Sequence, residues 1–152
     1  MSNPAESYES YMVPTLFAPW ASQLVQSADP QPGERVLDLA CGTGIVARQV
    51  ARLLSGKGAV IGFDLNPHML AVARAAAEKE RLTIEWRQGR AEQLPFADGS
   101  FDLVLCQFGL MFFSDRQTAL AEIHRVLGNR GRLFLNVWQS LIATLSTKDC
   151  IR

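Results

Sequence analysis

Short apolar runs alternate with amphipathic stretches along this chain, and no other feature restricts its fold as much. Val36 to Ala40 reads as a buried strand, and Ile45 to Leu54 as a helix ended by Gly56 and Gly58. Ala59 to Phe63 repeats the strand, and a helix from Pro67 places Met69, Val72, Ala73 and Ala76 at i, i+3, i+4, i+7. Leu82 to Trp86 alternates like a peripheral strand, and a turn-rich loop from Pro95 to Ser100 leads into a fourth strand, Phe101 to Cys106. Ser114 with Gln117 forms a capping box for a helix burying Leu120, Ile123 and Leu127, and Arg132 to Trp138 is a fifth strand. Five strands alternating with helices predict right-handed crossovers and a parallel sheet covered on both faces, an α/β fold.

Residues 5–28 read as irregular helical turns broken at Pro14 and Pro19, and Pro30-Gln31-Pro32-Gly33 resets the chain before the first strand. The chain therefore divides into an N-terminal helical arm (1–34), one α/β domain (35–138) and a short tail (139–152). Its 152 residues are 48% hydrophobic, enough for a single core. Lys+Arg and Asp+Glu both number 15, so the chain as a whole offers no footprint for nucleic acid. The N-terminal MSNPAESYES has no signal-peptide character and no apolar run reaches the length of a membrane span, which predicts a cytoplasmic protein. Cys41, Cys106 and Cys150 are an odd number without metal-ligand spacing, which fits reduced thiols and no metal site.

The stretch Asp38-Leu39-Ala40-Cys41-Gly42-Thr43-Gly44 lies at the end of the first strand, where ligands bind in open α/β sheets. Gly42-Thr43-Gly44-Ile45-Val46-Ala47 also fits the glycine fingerprint of nicotinamide and flavin enzymes, so the glycines alone leave the ligand open. Asp64, 20 residues past Gly44 at the end of the second strand, suits both ribose hydroxyls of a nucleoside. Each residue also has a plainer reading: Asp38 as a buried carboxylate capping backbone amides, the glycines as a tight turn, and Asp64 as a helix N-terminal acid.

VLDLACGTG, GFDLNPHML, GRAEQLPFADGSFDLVLC and EIHRVLGNRGRLFL occur here in that order, and with them residues 35–138 resemble the class I S-adenosylmethionine-dependent methyltransferases. Within that family the resemblance is to the branch that includes the ubiquinone and menaquinone methylases. It implies a Rossmann-like doubly wound sheet of order 3-2-1-4-5, S-adenosylmethionine as cofactor and a small-molecule acceptor. That cofactor carries a sulfonium and an amino-acid head instead of a pyrophosphate, so its site needs acceptors as well as close backbone approach. Asp38 would accept from the ammonium group directly or through water, with the Ala40 carbonyl as a further acceptor. Cys41, Gly42 and Gly44 would pass close to the methionine and ribose portions. Leu65 and Met69 would pack on the adenine, with Ala91 and Glu92 at the ring edge. Cys106 and Gln107 would meet the methionine portion largely through backbone groups, and Phe108 to Phe113 would wall an apolar acceptor pocket.

Position 90 departs from the family, which commonly has an aspartate in this stretch; arginine cannot accept. Arg90 has three placements open: stacked on the base, paired with an acid, or in solvent. Methyl transfer from a sulfonium needs alignment and exclusion of water more than a base, and neither His68 nor His124 stands out as catalytic. The family's sheet continues with further strands after the fifth, and residues 139–152 are too short for them. The expectation is a truncated product, a fragment or a minimal domain, with the fifth strand an open edge for self-association. Two rival functions stand beside the methyltransferase: a noncatalytic cofactor-binding or interaction module, and a nicotinamide-dependent oxidoreductase.

Overall fold

The computed structural model describes residues 3–138. Five strands, β1 (Arg35–Leu39), β2 (Ala59–Asp64), β3 (Glu85–Gln88), β4 (Phe101–Gln107) and β5 (Leu127–Asn136), form one sheet of order β3-β2-β1-β4-β5. Every pairing is parallel, as the strand-helix alternation requires. The order reverses between β1 and β4, so the loops that follow these two strands part to opposite faces and leave a crevice.

Alternation along β1 splits the core. Val36 joins Val60, Leu103 and Leu105 on the face covered by helices α2 (Ala18–Ala28) and α3 (Ile45–Leu54). Leu37 and Leu39 join Ile61, Phe63 and Val104 on the other face, beneath Ala119, Ile123 and Val126 of α5 (Arg116–Val126). Asp38 shares the parity of Val36 and so points at the N-terminal turns of α3.

Four local expectations change. Pro14 and Pro19 do not break the arm: helix α1 (Pro4–Ser7) runs through a wide π-helical segment, Tyr8–Phe17, into α2. The Ala18 N–H donates to the Val13 carbonyl five residues back, and the wider turn accommodates the ring of Pro14. Ala21, Leu24, Val25 and Ala28 then enter the same core as α3, so the arm is anchored to the sheet. β3 starts three residues later than its alternation suggests, at Glu85–Gln88, with the Trp86 ring laid over Gly62 of β2. Helix α5 is capped by Asp115, whose carboxylate accepts from Thr118 N–H (3.1 Å) and Thr118 Oγ1 (2.6 Å), because Ser114 is engaged elsewhere. β5 starts directly after α5, at Leu127 beside Phe101, and is irregular before Arg132 pairs with Leu103. It ends at Asn136, and the tail 139–152 lies outside the described residues.

Candidate active site

A cavity of about 510 Å³ opens at the carboxyl ends of the strands. Ala40 and Gly42 reach it from β1, Asp64 and Leu65 from β2, Ala91 and Glu92 from β3, and Gln107 and Phe108 from β4. Met69 enters from helix α4 (Pro67–Lys79), and Tyr8 and Phe17 close it from the arm. Of the residues singled out in the sequence, Ala40, Gly42, Asp64, Leu65, Met69, Ala91, Glu92 and Gln107 are thus brought together. Asp38, Cys41, Gly44 and Cys106 stand behind the cavity wall.

The turn after β1 is built by backbone requirements. Ala40 and Gly42 take φ of 57° and 56°, and a side chain on Gly42 would meet open space. Gly44 has a different need: at φ 81° it precedes α3, and a Cβ there would stand 2.3 Å from the Trp86 ring. Its lack of a side chain makes room for the Trp86 ring of β3 behind the turn. On the other side of the crevice a Cβ on Gly109 would stand 2.5 Å from that of Ala40, so the loops from β1 and β4 touch at the switch point.

Asp38 is 1% exposed, and its Oδ2 accepts from Ala47 N–H at 2.9 Å. This is the capping role that its plainer reading anticipates. Its Oδ1, equally buried, has no hydrogen-bond partner. Burial pushes this carboxyl up to about 8; the bond from Ala47 opposes the rise, and the nearby Asp64 charge adds to it. Asp64 accepts from Gly42 N–H through Oδ2 and from Asn66 N–H through Oδ1, both at 2.8 Å, which holds its carboxylate at the cavity edge.

Cys41 and Cys106 are both buried. Burial raises Cys41 well above the ordinary thiol range and Cys106 to about 12, with the Asp38 and Asp64 charges reinforcing both shifts. Cys41 Sγ faces Gly62 rather than the cavity.

Arg90 takes the second of its placements. It donates to Ser114 Oγ at 2.9 Å and lies 3.6 Å from Glu92, which itself accepts from Ser114 N–H (2.7 Å) and Asp115 N–H (3.2 Å). Arg90, Glu92 and Ser114 therefore tie the loop after β3 to the start of α5. His68 and His124 are absent from the cavity lining, and no cluster of three or more metal-ligating side chains occurs among the described residues.

Aromatic rings form the far wall. Phe108, at φ 53°, lies stacked on Trp138 with ring centres 4.0 Å apart, and Trp20 and Phe17 approach its ring at 6.2 and 6.1 Å. Gln107 Nε2 donates to the Phe17 carbonyl at 3.1 Å, joining arm and β4. Sequence reasoning missed Tyr8 and Phe17, because a helix outside the alternating region gives no signal of which strand end it will cover.

The Methyltransferase domain family matches residues 37–135, the stretch that carries all four strand ends of the cavity. The chain belongs to this family. That establishes the resemblance to the class I S-adenosylmethionine-dependent methyltransferases. Among curated relatives, the 2-phytyl-1,4-naphtoquinone methyltransferase of Synechococcus elongatus is 41% identical over 71% of this chain and 47% of its own length. The demethylmenaquinone methyltransferase of Thermus thermophilus is 41% identical over 75% of this chain and 51% of its own. The chain thus spans about half the length of these methyltransferases. Among solved structures, a SAM-dependent methyltransferase from Aquifex aeolicus shares the fold, with a TM-score of 0.79 over 91% of this chain and 74% of its own, at 19% identity.

Proposed function

We propose that this methyltransferase-family chain binds S-adenosylmethionine in the crevice between β1 and β4 and transfers its methyl group to a small apolar acceptor of the quinone type. One observation carries the reading: four strand ends converge on one cavity with carboxylate acceptors on one side and aromatic rings on the other. The unpartnered, buried Asp38 Oδ1 is an acceptor that suits a cationic head.

Asp64 would accept from the ribose hydroxyls while keeping its two backbone amides. Asp38 would take the ammonium group through water or a small movement of the Ala40 turn, with the Ala40 carbonyl beside it. Leu65 and Met69 would flank the adenine, with Ala91 and Glu92 at its edge; Gly42, Cys41 and Gly44 would shape the turn; and Gln107 and Cys106 would border the methionine portion. When bound, S-adenosylmethionine supplies a methyl group already activated by its sulfonium. The chain's own part is to align the acceptor against the Phe108 wall and to exclude water beneath the arm, with no general base required.

Residues 35–138 would serve as the cofactor-binding unit, and residues 1–34 as the arm that closes it. Two buried free thiols, Cys41 and Cys106, favour a cytoplasmic setting. No helix among the described residues is long and apolar enough to cross a membrane. Self-association through the outer edge of β5 also belongs to this reading, and a monomer mass independent of concentration in light scattering would count against it.

Methyl-labelled S-adenosylmethionine, incubated with the chain and a panel of reduced naphthoquinones, benzoquinones and unrelated small acceptors, tests the activity. Label in a quinone product supports transfer. Cofactor binding without label in any acceptor would instead favour a noncatalytic module.

A further inference from the structure

The turn after β1 has already used several of its own donors. Cys41 N–H donates to the Phe63 carbonyl at 3.1 Å, Gly42 N–H to Asp64 Oδ2 at 2.8 Å, and Gly44 N–H to the Cys41 carbonyl at 2.8 Å. What this end of the crevice offers is mainly acceptors, with Asp64 at the surface and the unpartnered Asp38 Oδ1 behind it. Such a set suits hydroxyls and an ammonium group. The carboxylate of an amino-acid head would sit among like charges unless a donor faced it.

The arm brings one. Tyr8 opens the wide helical segment and lines the cavity together with Ala40, Gly42 and Asp64. Its ring is stacked on Phe17 with centres 5.2 Å apart and planes 30° from parallel, which restricts where the phenol points. Burial and the charges of Glu9, Asp64 and Asp38 push this phenol up to about 12, so it remains a neutral O–H donor throughout the physiological range.

The next residue anchors the arm. Glu9 pairs with Arg48 of α3 at 2.5 Å, and Arg48, its side chain 6% exposed, also pairs with Glu80 at 2.7 Å. Two other side-chain donors that line the cavity are already engaged: Arg90 with Ser114, and Gln107 Nε2 with the Phe17 carbonyl.

On the basis of the S-adenosylmethionine reading above, we propose that the Tyr8 hydroxyl donates to the carboxylate of the cofactor's amino-acid head, opposite the acids that receive its ammonium group. The arm then completes the binding site in addition to covering it. The contact is specific to one end of the ligand, and that makes it separable from any general effect on folding.

Calorimetry on the full chain with two ligands makes the separation. S-adenosylhomocysteine carries the amino-acid head, and 5′-methylthioadenosine has the same nucleoside without it. Tyr8→Phe keeps the ring stacked on Phe17 and removes only the hydroxyl. The expected result is about tenfold weaker binding of S-adenosylhomocysteine with methylthioadenosine binding unchanged. Equal weakening of both ligands would make Tyr8 a structural residue and overturn the proposal, and so would unchanged binding of both. If the wild-type chain bound neither ligand, the cofactor reading would fall first and this proposal with it.

Discussion

Asp38 is a carboxyl sealed into a strand, and its protonation links stability to binding. Its folded value of about 8 lies above the ordinary 3.8, so the folded state keeps a proton that the unfolded chain gives up. Its contribution to stability is complete below about pH 4 and is lost progressively as pH rises to about 8. An ammonium group bound nearby would draw the proton off. Affinity for S-adenosylhomocysteine should therefore rise between pH 6.5 and 8, by at most about tenfold per unit, and Asp38→Asn should flatten the profile. Calorimetry in buffers of different ionisation enthalpy reads the released proton directly. The two glycines of the turn should separate as clearly. Gly44→Ala drives a methyl into Trp86 at a left-handed position and should cost about 3 kcal/mol in urea unfolding, whereas Gly42→Ala meets open space and should cost about 1 kcal/mol. Asp64 was legible in the sequence because it ends a strand, and Leu65 because the block GFDLNPHML resembles the family's. The role of Gly44 was not, since it depends on a tryptophan 42 residues away whose strand register no local pattern reveals.

At the scale of elements, the arm departs furthest from its sequence reading. Two prolines predict interruption, yet the wide turn around Pro14 carries one continuous helical path from Pro4 to Ala28. Its hold on the domain is partly electrostatic, through Glu9, Arg48 and Glu80, with Arg52 also paired to Glu80. Arg48→Met leaves Glu9 without this partner and should destabilise the chain by about 2 kcal/mol, less than for a fully buried pair because both acids keep some solvent. Thermal unfolding measures the loss. The peripheral strands were also displaced from their expected bounds. Among the described residues only β2 pairs with β3, and β5 follows α5 without a loop, so apolar alternation there competes with packing of single side chains such as Trp86.

For the molecule as a whole, the sheet order and the position of the cavity followed from the alternation of elements and from the four motif blocks. A stretch buried throughout, as Val36 to Leu39 is with only Asp38 polar, has few placements other than the middle of a parallel sheet, and β1 is its central strand. The aromatic wall was legible only in part: Phe108 belongs to the stretch expected to wall a pocket, whereas Phe17 and Trp138 join it from distant parts of the chain and became visible only in three dimensions. The glycine fingerprint and Asp64 alone still admit a dinucleotide, and Asp38 within the strand, the internally bonded turn and the family membership favour a sulfonium cofactor instead. Calorimetric titration of the wild-type chain with S-adenosylhomocysteine and, separately, with NADH decides between them. Saturable one-to-one binding of S-adenosylhomocysteine with no heat from NADH is the predicted result; binding of NADH with indifference to S-adenosylhomocysteine would contradict it.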